Sequence, residues 1–544
     1  AVLESRKDSS EPQAFLPDGM SPIRQATIEA VKSKDSPSEP FTDIAMVPLI
    51  NKEGREYLDR TIEVPKEEPP KVQDSHEQDE NPRRGTQSMR NEGSRSVHLR
   101  GSNHDSCHYE RKQSIALARI TRGPPVPDKE VRETGELGEG EVPVTHVLYA
   151  PISLTTWLTF GIIYVFEILM LIFYGIFARF NYQELDFEYA SFQDINVMIL
   201  LGFGFLMSYL KNHSWGSIGL SFMVAVMSIQ AYPLMHSFWN AVFVVGFGDK
   251  IGLNVTMAAK GLFSAGASLI SFGVIIGRTT VPQILAMVLV QQVFFSLNET
   301  LLREVIRVQD IGSSMNVHLF GSVFGIVVGT VFLWGSKLPQ NFVSNSASYQ
   351  STIFSFIGSI FLWIYWPSFN SALALSEEER MRSVVNTHFS LAASALCTFG
   401  ISPLINNNLF SVEEVLKKSL AGGVIIGSSA NWIFNPIFSI LLGCIGGAIS
   451  SLGFRFLSRA LHTRGVYDAV GVINLHLVPG LLGGLFSAVI CAIWYEDPVR
   501  SASAQGWIQV GGVGVTLGIA LGSGVLAGLL LRRLPSPLSK FEDS

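Results

Sequence analysis

Two ten-residue stretches of this 544-residue chain carry an acid, an amide and an imidazole at the same spacing. Residues 310–319 read DIGSSMNVHL and residues 468–477 read DAVGVINLHL, so Asp310 and Asp468 are each followed six positions on by Asn and eight positions on by His318 or His476. Both stretches open long apolar runs, and a His inside such a run is costly unless it serves a purpose. A neutral imidazole has one donor and one acceptor nitrogen, so two side by side can share a hydrogen bond and still offer polar edges to a small solute. A second charge beside them would be expensive to bury. The pair therefore favours a neutral polar solute over a hydrated cation, unless the imidazoles take the proton themselves. The plainer alternative is two His residues satisfied by backbone carbonyls at helix contacts.

The elements that must position this pair are helical and membrane-buried. Mean hydropathy is +0.30 with only 16% charged residues, and the charge is concentrated in the first 146 positions. Stretches there such as PKEEPPK and ENPRRGTQS cannot bury enough apolar area to offset ordering entropy, so residues 1–146 are expected to form a disordered polar tail. Arg111-Lys112-Gln113-Ser114 resembles a kinase site within it, but four-residue matches of this kind are common by chance, and the favoured reading of the tail is a plain tether. Beyond it, apolar runs near the roughly 20 residues needed to span a bilayer core predict an all-α polytopic membrane protein. About twelve transmembrane helices are expected, at 154–178, 194–211, 215–235, 255–276, 282–302, 312–334, 351–374, 384–403, 419–433, 435–457, 468–494 and 507–532. Residues 147–532 form the membrane domain on this reading and 533–544 a short C-terminal tail.

An even number of crossings puts both termini on one side, and a long charged tail with no N-terminal signal peptide places that side in the cytoplasm. Arg455, Arg459, Arg464, Arg532 and Arg533 then lie inside as the positive-inside rule expects, with the acidic loops 184–188 and 377–379 outside. The two repeats fall in the sixth and eleventh helices, which cross in opposite directions, the signature of an inverted repeat. Eight residues carry each His about 12 Å inward from its Asp, close to half of a core about 30 Å thick. Both His residues should meet near the midplane. Gly321, Gly325 and Gly329 follow the first and Gly480 and Gly484 the second, a spacing that lets helix backbones come close, so the two His-bearing helices are expected to cross in contact. Cys107, Cys397, Cys444 and Cys491 make no disulfide framework, and the formal charge of -6 implies no nucleic-acid partner. No metal-ligand spacing, phosphate loop or catalytic triad stands out in the membrane part, so neither an enzyme nor a cofactor is expected.

Several longer stretches carry a family resemblance: SFQDINVMILLGFGFLMSYL (191–210), SSMNVHLFGSVFG (313–325), FLWIYWPSFNSA (361–372), LAGGVIIG (420–427) and INLHLVPGLLGGL (473–485). They resemble the Rhesus (Rh) glycoproteins, the animal and protist branch of the ammonium transporter superfamily, over about residues 155–532. The resemblance implies a homotrimer with one narrow hydrophobic pore per subunit, built from two inverted five-helix halves plus one extra helix at each end. It makes His318 and His476 the twin pore histidines and Phe369 with Phe263 the outer Phe gate. Asp310 matches the acid near the outer mouth and Asp468 is its repeat partner, with a helix-cap role competing with proton handling. Glu299 would face the outer vestibule and raise the local cation concentration, or serve as an ordinary loop acid. Three positions depart from the pattern. Leu477 replaces a Gly after the second His, Leu262 replaces an acid before the gate, and His388 stands in place of Tyr.

The function implied is a transmembrane channel or transporter for ammonia and ammonium. Ammonium would lose its proton at the outer gate and NH3 would pass the His pair, electroneutrally, since no match is seen for the external Trp and Ser cation site of bacterial and plant relatives. The plasma membrane is the implied location and the lipid bilayer the surrounding partner. Two alternatives stay open at this point: a non-transporting scaffold or sensor of Rh type, and a channel for CO2 or another small neutral gas.

Overall fold

The computed structural model describes residues 153–181, 189–248, 250–335, 348–405 and 412–534. The polar tail 1–146, the kinase-like site within it, the 184–188 loop and the C-terminal tail from 535 on lie outside the described residues. Among the described residues eleven helices are long and apolar enough to cross a membrane. They are α1 (Leu154–Phe177), α2 (Tyr189–Tyr209), α3 (Lys211–Val245), α4 (Val255–Ile275), α5 (Val281–Ile306), α6 (Ser314–Phe332), α7 (Tyr349–Ser371), α8 (Glu377–Ile405), α9 (Pro436–Thr463), α10 (Ile473–Trp494) and α11 (Ala502–Arg533). Several starts carry the polar residues that satisfy orphan N–H groups. Ser153 Oγ accepts from Thr156 N at 3.1 Å and Asn254 Oδ1 from Met257 N at 2.7 Å.

The segment expected at 419–433 takes a broken form. Helix Val412–Ser419 is followed by the short helix Ala421–Ile426 and then by turns. Close approach explains the break: a Cβ on Gly422 would lie 2.6 Å from Ser390 O, and one on Gly427 would lie 2.7 Å from Gly312 O. Backbone here packs directly on backbone of α8 and of the loop before α6. Apolarity marks such a segment as buried but does not require it to be a continuous helix.

Helix α4 sits at the centre, buried at every position from Gly261 to Ile275, whereas α1 is peripheral with only Phe166 and Met170 buried. A short parallel pair, β1 (Ala178–Phe180) with β2 (Ile251–Leu253), ties the end of α1 to the α3–α4 connection. Helices α6 and α10 do cross in contact: a Cβ on Gly480 would lie 2.9 Å from Ser314 O and 3.3 Å from His318 Cβ. Gly321 and Gly325 face α4 instead, against Ala267 and Ser271. Three helices change pitch near this crossing, through π-helical turns at Met198–Phe203, Ser314–Leu319 and Ile473–Leu477. Such turns insert one residue and are frequent at functional sites.

Candidate functional site

Both histidines of the repeat lie in these π turns and face one another. His318 Nδ1 and His476 Nδ1 are 3.1 Å apart, and the rings are nearly parallel, 7° between planes with centroids 5.1 Å apart. His318 is 0% exposed and His476 3%. One Nδ1 must donate and the other accept, so the two rings hold complementary tautomers when both are neutral. The ring with Nδ1–H then presents a bare Nε2 acceptor, and its partner presents Nε2–H. His318 Nε2 has no hydrogen-bond partner among the described residues. The pair offers one donor and one acceptor edge.

Other rings extend the pair into a column. Phe263 and Phe369 lie with centroids 4.2 Å apart, Phe369 is 6.1 Å from His318, and on the far side Phe203 stacks on His476 at 6.1 Å. The residues expected to form the gate and the His pair are thus brought together. Trp366 stacks on His318 at 5.6 Å, is fully buried, and its Nε1 has no acceptor among the described residues. Gly423 makes room for it, since a Cβ there would touch the indole at 2.6 Å. Sequence reasoning passed over Trp366, although it precedes Phe369 by three residues and so shares its helix face. Phe203 carries no such signal.

The two acids cap helix starts. Asp310 Oδ1 accepts from Met315 N at 3.2 Å and from Ser428 Oγ at 2.5 Å, and its Oδ2 accepts from Asn316 N at 2.8 Å. Burial pushes the Asp310 carboxyl above the usual carboxylate range, opposed by Arg303, Ser428 and these N–H donors. Asp468 Oδ1 accepts from Gly471 N and Val472 N at 3.0 and 2.8 Å, and Oδ2 from Ile473 N at 2.9 Å. The repeat's Asn residues reach across to neighbouring helices: Asn316 Oδ1 accepts from Asn298 at 2.9 Å, and Asn474 donates to Ser458 Oγ at 2.6 Å. Acid and amide together fix the turn from which each His projects.

Glu299 is 2% exposed and sits in a polar cluster. Tyr232 donates to its Oε2 at 2.5 Å, His236 Nδ1 lies 3.6 Å away, and Arg303 Nε lies 3.5 Å from Oε1. Leu262 is buried in the main core and Leu477 packs half-buried against that core. His388 is exposed, edge-on to Trp363 at 5.4 Å, away from the ring column.

Residues 155–543 match the family model described as Ammonium Transporter Family. The chain is similar to Ammonium transporter Rh type B of Takifugu rubripes, 34% identical over 418 residues that cover 70% of this chain and 90% of the relative. It is 37% identical to the Mus musculus protein of the same name over 407 residues, 68% of this chain and 88% of the relative. Among solved structures it is similar to Nitrosomonas europaea Rh50, at 32% identity and a TM-score of 0.57, covering 65% of this chain and 90% of that one. Saccharomyces cerevisiae Mep2, at 17% identity and a TM-score of 0.53 over 65% of this chain and 87% of that one, shares the fold. With its paired histidines, its ring column and the match across its whole membrane part, this chain belongs to the Ammonium Transporter Family, in its Rh branch.

Proposed function

We propose that this chain conducts ammonia across a membrane along the Phe263–Phe369–His318–His476–Phe203 column, with ammonium giving up its proton before the histidines. Membership of the family supports the substrate, and the carrying observation is the buried Nδ1–Nδ1 contact of 3.1 Å. Ammonia both donates and accepts, so it can meet the acceptor Nε2 of one imidazole and the donor Nε2–H of the other. Ammonium has no lone pair to receive that N–H, and a cation beside two buried rings lacks water to solvate it. Aromatic faces at Phe263 and Phe369 can attract a cation by about 0.5–2 kcal/mol. They would hold ammonium at the gate without carrying it further. The proton is released to the side it came from, which makes net passage electroneutral. Asp310 and Asp468 support the pore as helix caps, and Glu299 acts on it through Arg303, which also donates to Asp310 O at 2.8 Å.

The reading extends to a homotrimer in the plasma membrane with both termini cytoplasmic, and to the first 146 residues as a tether. Its test is stopped-flow fluorimetry of liposomes holding an internal pH dye. An ammonium gradient should alkalinise the lumen faster than in protein-free liposomes, at a rate unaffected by an imposed membrane potential. No excess rate from correctly folded protein would favour a scaffold or sensor, and a rate that follows the potential would mean that the charge crosses with the solute.

A further inference from the structure

Helix α1 carries one charged residue, and it stands in the middle of the span. Glu167 is the fourteenth of the 24 residues from Leu154 to Phe177, about 20 Å from the start of the helix and about 15 Å from its end. A glutamate side chain is too short to reach the membrane surface from there, and an ionisable group at that depth calls for a partner. Glu167 Oε1 accepts from Gln230 Nε2 of α3 at 3.2 Å. That amide supplies one hydrogen and no charge, and Glu167 remains exposed.

A second polar group lies on the same face. Tyr164, about one turn before Glu167, is 63% exposed, and its hydroxyl makes no hydrogen bond among the described residues. It stands about 15 Å from the start of α1, so the two polar groups straddle the midpoint of the helix. Trp157, Phe160, Leu171 and Gly175 extend the stripe at spacings of three or four residues, and all are exposed. That spacing is the seam along which one helix receives another. Phe160 and Tyr164 stack with centroids 6.2 Å apart, and a Cβ on Gly175 would have nothing within 4 Å. The face that packs on the rest of the molecule is a different one, marked by Phe166 and Met170.

We infer that this face of α1 is the docking surface for one transmembrane helix of another membrane protein, whose Lys or Arg near mid-membrane pairs with Glu167 and whose apolar seam packs along Phe160, Tyr164 and Leu171. Lipid tails would cover the rings but supply neither a donor nor a counter-charge. Residues 1–146 hold no apolar run long enough to enter the bilayer and cover the stripe. A symmetric contact with α1 of a second copy would set Glu167 against Glu167, two like charges at low dielectric. A basic side chain brings both the hydrogens and the charge that Gln230 does not, and it can reach the Tyr164 oxygen as well. The ring column has no residue on α1, so docking there holds whatever the pore conducts.

The test uses the purified full chain, labelled with a donor fluorophore and reconstituted into phosphatidylcholine vesicles with acceptor-labelled synthetic helices of about 21 leucine-rich residues. One helix has Lys at its centre, one Leu and one Glu. Energy transfer should show roughly tenfold tighter association of the Lys helix than of the Leu helix, the scale of interhelical polar contacts in bilayers, and no gain for the Glu helix. E167L should bring the Lys helix close to the Leu helix. E167Q, which keeps an acceptor for Gln230 but drops the charge, should do so nearly as far, and it decides the matter if E167L does not fold. Equal association of the Lys and Leu helices with the wild type, or a Lys preference that survives both variants, would overturn the assignment. So would a smaller oligomer for E167L than for the wild type in mild detergent, which would give the face to a second copy of this chain.

Discussion

The approaches to α6 and α10 perform the same task with unequal reinforcement. Both run from an Asp that caps a helix start, through a residue in the left-handed region, to an Asn tied to a neighbouring helix and a His that meets its repeat partner. The left-handed residue is Ser313 in the first (φ 58) and Gly471 in the second (φ 85), 158 positions apart like the histidines. Asp310 is 3% exposed and also held by Ser428, and Ser313 Oγ accepts from Arg303 at 3.2 Å. Asp468 is half-buried, and the contacts found for it are backbone N–H groups. His318 lies against Trp366 and Phe369, while His476 has Phe203 beyond it. Where the chain is buried on all sides the turn is locked by side chains. Nearer the surface a glycine and a simple cap suffice.

The largest effect should come from ending what the halves share. H318L/H476L removes the donor and acceptor edges together, and a polar solute then crosses without hydrogen bonds worth about 1–3 kcal/mol. Ammonia-driven alkalinisation in liposomes should fall roughly tenfold to a hundredfold by the same relation. Each single variant should lose nearly as much, because the tautomer arrangement needs both rings. A wild-type rate in either single variant would break the equivalence of the two halves.

The caps should separate the halves instead. D310A leaves two helix N–H groups and the Ser428 hydroxyl buried without their acceptor and should cost about 3 kcal/mol. D468A exposes its N–H groups closer to water and should cost about 1 kcal/mol, in the usual range for a lost cap. Denaturation midpoints in detergent report the difference, and equal costs would mean that burial does not distinguish the two turns.

The left-handed positions give a further contrast. G471A forces a side chain into φ 85 and against the Phe454 ring, so it should destabilise by about 2 kcal/mol. S313G relieves the same backbone strain but loses the Arg303 contact and gains unfolded-state freedom, and should come out within about 1 kcal/mol of the wild type. A large gain for S313G would show that the serine's hydrogen bond contributes little.

How much of this was legible in the sequence depended on the kind of physics involved. Long apolar runs marked the spans, and the repeat with its crossing topology was enough to expect His318 and His476 in contact. Phe369 and Phe263 rested on the family resemblance, and the structure brings their rings together. Glu299 was not legible: its cluster depends on Tyr232 and His236, more than sixty residues earlier, and no local pattern encodes a contact between α3 and α5. The break at residue 420 and the pairing of Ala178–Phe180 with Ile251–Leu253 were likewise invisible, since both follow from where backbone meets backbone in three dimensions.

Leu477 supplies the smallest and sharpest comparison. It follows His476 where the family resemblance expects glycine, yet its repeat partner is Leu319, directly after His318 and 0% exposed in the same core. The two leucines are therefore corresponding parts of one design, both packed with the main core, and Leu477 is the less enclosed. L477G removes a half-buried side chain and places glycine where α10 leaves its π turn. The expected cost is about 1–2 kcal/mol of stability, from lost burial and helix propensity together, with less than a twofold change in ammonia conductance. If L477G instead raised conductance severalfold while stability held, the leucine would be narrowing the column, and the second half would differ from the first at the pore itself rather than only in its support.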